Sequence, residues 1–126
     1  MESYRELIVW QKGMDLAVAC YQLTKAFPKE ELYGMTSQIR RASSSIPANI
    51  AEGYGREHRN EYIRFLQIAQ GSLKELETHL ILSSRVTLTS EPAIQPILTR
   101  CDEVGRMLRA LIRKLQGGRE QGKNRE

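Results

Sequence analysis

Arg106, Arg109 and Arg113 stand at i, i+3 and i+7 in the last quarter of the chain, with Lys114 beside them. On a helix this spacing lines three guanidiniums along one face. Each guanidinium offers a planar fork of donors, which suits phosphate oxygens. Asp102 lies four residues before Arg106 and can pair with it, but Arg109 and Arg113 have no acidic residue four positions earlier. Arg56, His58 and Arg59 crowd a second basic spot beside Tyr54, and Arg40 and Arg41 form a third. The chemistry these side chains could perform is the binding of nucleic-acid phosphates. The alternative is a solvated helix face.

Other reactive residue types lead nowhere. His58 and His79 have no partners at metal-ligand spacing, and Glu75 with His79 at i, i+4 reads as a helix-surface pair. Ser43, Ser44 and Ser45 lack a nucleophile turn and a base. Gly53-Tyr54-Gly55 follows a helical pattern, so it reads as a helix stop and not as a dinucleotide loop. Asn49 and Glu52 read as a polar network reaching Arg64 or Arg56. Cys20 and Cys101 are far apart in sequence and too few for a disulfide scaffold, so they read as buried, reduced thiols. We therefore expect no catalytic site, no cofactor and no metal.

Charge locates the basic character. Residues 1–99 hold 11 basic and 11 acidic side chains, whereas 100–126 hold 8 and 4, so the whole net charge of +4 lies at the C-terminal end. Excess of one sign at one end points to an anionic partner. No run of eighteen uncharged apolar residues exists, and the first residues lack the pattern of a secretory signal. A cytoplasmic location and no membrane partner are expected.

The elements that must carry these residues are helices. Apolar residues make up 40% of 126 but aromatic ones only 6%, so the core must rest on Leu, Ile, Val, Met and Ala. Leu7, Trp10, Met14, Ala17, Val18 and Tyr21 form one stripe of a helix over 5–26, which Phe27-Pro28 ends. Met35, Ile39, Ala42, Ile46 and Ile50 line a second over 35–53, with Thr36 or Ser37 as cap and Gly53 or Gly55 as a left-handed stop. Tyr62, Phe65, Leu66, Ala69, Leu73, Leu76 and Leu80 line a third over 60–86, capped by Asn60. Ser90 caps the fourth, with Pro92 in its first turn. Pro96 kinks its first turns or delays its start to Gln95. Leu98, Cys101, Val104, Leu108, Leu111, Ile112 and Leu115 then carry it to Gly117.

Four such stripes with short links predict an all-α, antiparallel up-and-down four-helix bundle over 1–117, followed by a disordered basic tail over 118–126. Pro47 inside the second helix predicts a kink eased by neighbouring serines. A hairpin centred near Arg56 sets Gly71 opposite Ala42 or Ser43, a close crossing of small residues. Ile8, Val9, Ile63, Ile81 and Leu82 fall outside the core stripes and predict a self-association surface.

One segment also carries a resemblance. The run 36–42, then Ser45-Ile46-Pro47-Ala48-Asn49-Ile50-Ala51-Glu52-Gly53 and on through Arg56, resembles the signature of proteins encoded in 23S rRNA intervening sequences. Leu7–Lys12, Phe27–Glu30 and the block opening Gly71-Ser72-Leu73 resemble other parts of that family, so the likeness covers about 4–86. The resemblance implies a four-helix bundle assembled as a homopentamer. It also implies kinship in fold with the accessory protein of diversity-generating retroelements, a basic pentameric barrel that binds nucleic acid and a reverse transcriptase. Within it Ser45, Ile46, Pro47, Asn49, Glu52, Gly53 and Gly71 are signature or packing residues. Two readings follow. One is an oligomer that binds RNA or DNA through Arg106, Arg109, Arg113 and Lys114, with Arg56 and Arg59 secondary. The other is a scaffold that recruits a protein such as a reverse transcriptase.

Overall fold

The computed structural model describes residues 3–125, with side chains described over 3–117. Its four helices are α1 (Ile8–Thr24), α2 (Met35–Tyr54), α3 (Arg59–Arg85) and α4 (Glu91–Arg125). Single 3-10 turns at Tyr4–Glu6 and Lys29–Glu31 complete the described elements, which include no strand. The tail expected over 118–126 lies outside the residues whose side chains are described.

Each helix packs on two others, α1 on α2 and α4, and α3 on α2 and α4. This ring of neighbours is the expected all-α four-helix bundle. Leu16, Ile39, Ile46, Ile50, Leu66, Leu76, Leu80 and Leu108 are wholly buried at its centre. The stripes expected on α2, α3 and α4 face inward, joined by Ile63, Ile94 and Ile97; Phe65 is the exception, half-buried beside Gly53 and Arg56.

The expected stripe on α1 is corrected. Its core face is Val9, Gly13, Leu16, Ala17 and Cys20, while Met14, Val18 and Tyr21 face solvent. The helix is apolar on two sides, so its period identifies a helix without saying which side is inside. Of the positions expected outside the core, Ile8, Ile81 and Leu82 are exposed, but Val9 and Ile63 belong to the core.

Helix ends also differ from expectation. Thr36 is buried and does not cap α2; the Glu31 carboxylate instead accepts from the Met35 N–H at 3.1 Å. α2 runs through Gly53 to Tyr54, and Gly55 is right-handed at φ −77°, so no left-handed glycine ends it. α3 begins one residue before Asn60, with His58 at the cap position. The Ser90 hydroxyl accepts from the Ala93 N–H at 3.2 Å, and α4 starts at Glu91 with Pro96 inside it. Pro96 leaves the Pro92 carbonyl without its helical donor, but Pro92 is exposed and water can serve it.

The α2–α3 register is corrected as well. Gly71 has nothing within 4 Å of where a Cβ would sit, so it does not meet Ala42 or Ser43. Ser72 faces Ser45 instead, their hydroxyls 2.8 Å apart, a slip of about one helical turn. The close crossing belongs to Gly53, where a Cβ would stand 2.8 Å from Phe65 Cβ and 3.2 Å from the Tyr62 carbonyl oxygen.

α3 closes with a 6→1 bond from the Leu88 N–H to the Ser83 carbonyl (2.9 Å) and a 5→2 bond from Thr87 to Ser84 (3.2 Å). That motif needs a left-handed residue after the cap, which is Thr87 at φ 66°. A β-branched residue is strained there, by about 1–2 kcal/mol. Thr87→Gly is therefore expected to stabilise the fold by about 1 kcal/mol in urea denaturation, and a loss of stability would refute the strain.

Candidate functional site

The α4 face forms as expected. Arg106, Arg109, Arg113 and Lys114 are all exposed, because the core takes Val104, Leu108 and Ile112 on the opposite side. Among the described residues none of the four makes an ion pair or hydrogen bond; Asp102 does not close on Arg106. The neighbouring Glu103 is taken by Lys12 of α1 at 3.0 Å, which removes one nearby acid from competition. What remains is a row of charged donors held on a rigid rod.

The other basic residues are engaged or scattered. Arg56 donates to the Glu52 carboxylate at 2.9 Å, and its guanidinium lies 4.8 Å from the centre of the Phe65 ring. It staples the α2–α3 turn, so much of its charge is spent at home. Arg59 is exposed at the start of α3. Arg40 donates to the Thr24 hydroxyl at 2.9 Å and covers the Tyr21 ring, tying α2 to α1.

The signature residues build the α1–α2–α3 junction. The Asn49 amide donates to the Ser45 carbonyl (2.8 Å) and hydroxyl (2.9 Å), and Ser45 bridges to Ser72. Ile46 and Pro47 are buried, with Gly13 of α1 against them: a Cβ at Gly13 would stand 3.6 Å from Pro47 Cβ. Ser43 and Ser44 donate to the Arg40 and Arg41 carbonyls, not to the carbonyl that Pro47 leaves free. The polar network expected around Asn49 and Glu52 is thus two separate links. Glu52 reaches Arg56, Asn49 reaches Ser45, and Arg64 joins neither.

A larger feature escaped the sequence reading. An apolar groove of about 640 Å³ opens along α1 and α2. Trp10, Met14, Val18 and Tyr21 form its α1 wall, with Tyr4 of the preceding turn at one end. The small face of α2, with Ser44, Pro47, Ala48 and Ala51, forms its floor. Trp10, Met14, Val18 and Tyr21 of the stripe assigned to the α1 core line this groove, while Ala17 is buried and Leu7 packs against the core. A second apolar spot lies at the end of α3, where Ile81, Leu82 and Val86 are exposed.

Among the described residues no group of His, Cys, Asp and Glu could hold a metal. Burial pushes the Cys20 thiol up to about 12, against a smaller opposing effect of the Ser43 hydroxyl. Burial first, then Cys20, Glu77 and Asp102, raise the Cys101 thiol too. Neutral thiols are poor nucleophiles. His79 contacts Glu75 at 3.6 Å as a helix-side pair. No described helix is long and apolar enough to cross a membrane.

Comparison with known proteins assigns the family. The sequence model described as 23S rRNA-intervening sequence protein matches residues 5–110. The chain belongs to this family. The chain is similar to a crystal structure of a protein of unknown function from the S23 ribosomal protein family of Bacteroides thetaiotaomicron. That match has a TM-score of 0.75 and 27% identity, covering 83% of this chain and 98% of the other. No curated protein matches the chain. The matched stretch reaches into α4 as far as residue 110, so it takes in Arg106 and Arg109 but not Arg113 or Lys114.

Proposed function

We propose that this chain is a non-catalytic, self-assembling bundle protein that binds nucleic acid, RNA foremost, through the arginine face of α4. The observation that carries the reading is the row Arg106, Arg109 and Arg113 with Lys114, exposed and without partners among the described residues. Arg59 is a secondary contact, and Arg56 a weaker one because Glu52 holds it. The groove on α1 and α2 supports assembly, and we propose a homopentamer. In a ring each basic face recurs, so weak phosphate contacts add through effective concentration.

The test is RNA binding at low salt. Micromolar or tighter affinity is expected, with log K falling linearly against log salt as counterions are released. Changing Arg106, Arg109, Arg113 and Lys114 together to Gln should weaken binding severalfold or more and flatten that slope. The fold should survive, since all four are exposed. A wild type that binds no RNA at low salt would sink the reading. The groove then favours the second one, a scaffold whose apolar face recruits a protein partner such as a reverse transcriptase.

A further inference from the structure

A polar recess of about 130 Å³ lies between α3 and α4, beneath the first two arginines of the row. Lys74 reaches it from α3, and Arg106 and Arg109 from α4. Cys101, Asp102 and Gly105 complete its lining. Gly105 is buried, and a Cβ there would stand 3.3 Å from Leu73 Cδ2 and 3.4 Å from Arg109 Nη1. The missing side chain therefore keeps the recess open and lets the Arg109 guanidinium lie close over the helix. At about 30 Å³ per water, the space matches about four waters, enough for a small oxyanion.

The charges around it are unequal. Three cations from two helices converge there, against Asp102 in the lining and Glu77, which holds Lys74 at 3.1 Å. Arg106 and Arg109 make no ion pair or hydrogen bond among the described residues, so their donors are available. Lys74 is largely exposed on its loose pairing and can turn to a new acceptor, since an exposed ion pair contributes little.

We propose that this recess seats one phosphate group. Arg106 and Arg109 would present their donor forks to its oxygens, and Lys74 would add a point charge from the opposite helix. The phosphate is either a backbone group of a nucleic acid or a free phosphate ion. The proposal deepens the reading of α4 as a nucleic-acid face and rests on it, but Lys74 and Gly105 have no part in that reading. A seated phosphate would fix the register of a strand. Arg113 lies about 6 Å further along α4 than Arg109, so it and Lys114 would meet the next group.

The test follows the Gly105 amide by two-dimensional NMR of the full chain at low ionic strength. Inorganic phosphate is titrated in one arm and a short single-stranded RNA in the other, with chloride matching ionic strength. Both ligands should shift the Gly105 signal. Lys74→Gln should weaken RNA binding about threefold and lower the slope of log K against log salt by about one unit. Gly105→Ala, checked for folding by circular dichroism, should abolish the phosphate shift of the neighbouring Arg106 amide, which the wild type should show beside that of Gly105. A shift with RNA alone assigns the seat to backbone phosphate. A shift with inorganic phosphate alone, without RNA binding, keeps the seat and removes the nucleic-acid reading. RNA binding that leaves Gly105 unshifted and Lys74→Gln unchanged overturns the recess while sparing that reading. No response to either ligand overturns both.

Discussion

Replacing Gly53 with leucine is expected to destabilise the fold by about 3 kcal/mol, while Gly71→Ala should stabilise it by about 1 kcal/mol. Both glycines lie inside helices, so helix propensity alone would favour either substitution. Space decides between them. At Gly53 the first added carbon would stand 2.8 Å from Phe65 Cβ, 3.1 Å from the Tyr62 ring and 3.2 Å from the Tyr62 carbonyl oxygen. The carbonyl is backbone and Phe65 Cβ is anchored to it, so neither can swing aside. The helices must part, and the Arg56–Phe65 contact next to the crossing would go with them. At Gly71 nothing lies within 4 Å, so alanine gains propensity without a clash. Urea midpoints at one fixed protein concentration would measure both. Equal midpoints for Gly53→Leu and the wild type would mean that the α2–α3 crossing is not this close.

The contrast between these glycines shows what the sequence could reveal. That small residues mark a close crossing of α2 and α3 was legible; which glycine marks it was not. Counting from the turn at equal rise ignores the tilt of side chains toward their own N-terminus. In an antiparallel pair that tilt points away from the turn on α2 and toward it on α3. Partners therefore lie about one residue further on in each helix, roughly half the slip observed between the expected and actual pairing.

Helix α1 shows a different limit. Its core residues Val9, Leu16 and Cys20 and its groove residues Trp10, Met14, Val18 and Tyr21 repeat with the same helical spacing. Periodicity gives a helix with two apolar sides and leaves its phase open. Only the neighbours decide: Gly13 lies against Ile46 and Pro47 of α2, and that contact turns Val9, Leu16 and Cys20 inward. The α4 row was legible because arginine has one natural place on a helix whose other side is Val104, Leu108 and Ile112. The Lys74–Gly105 recess was not, because it joins residues from two helices whose register the sequence left open.

Charging the α1 wall is expected to dissociate the assembly. Light scattering on the wild type should give about five chain masses, and Met14→Glu with Val18→Glu should give a much smaller species. Both side chains are exposed, at 40% and 52%, so the bundle itself loses little when they change. In an assembled groove the same two carboxylates would be buried without partners, which costs several kcal/mol for each ion. With such a cost at every contact of a ring, association should fail at micromolar concentration. A homopentamer closes only through unlike faces. The groove on α1 and α2 and the exposed spot of Ile81, Leu82 and Val86 at the end of α3 are the two candidate faces, and α1 does not touch α3. Leu82→Glu should therefore dissociate the same assembly from the other side. RNA affinity gives an independent reading. The groove variant changes none of the α4 cations, yet it should bind RNA at least about tenfold more weakly, because the gain from repeated faces is lost. A groove variant that keeps the wild-type mass would remove the α1 wall from the interface. A wild type that is already a single chain at micromolar concentration would remove self-assembly and leave the groove to a partner protein.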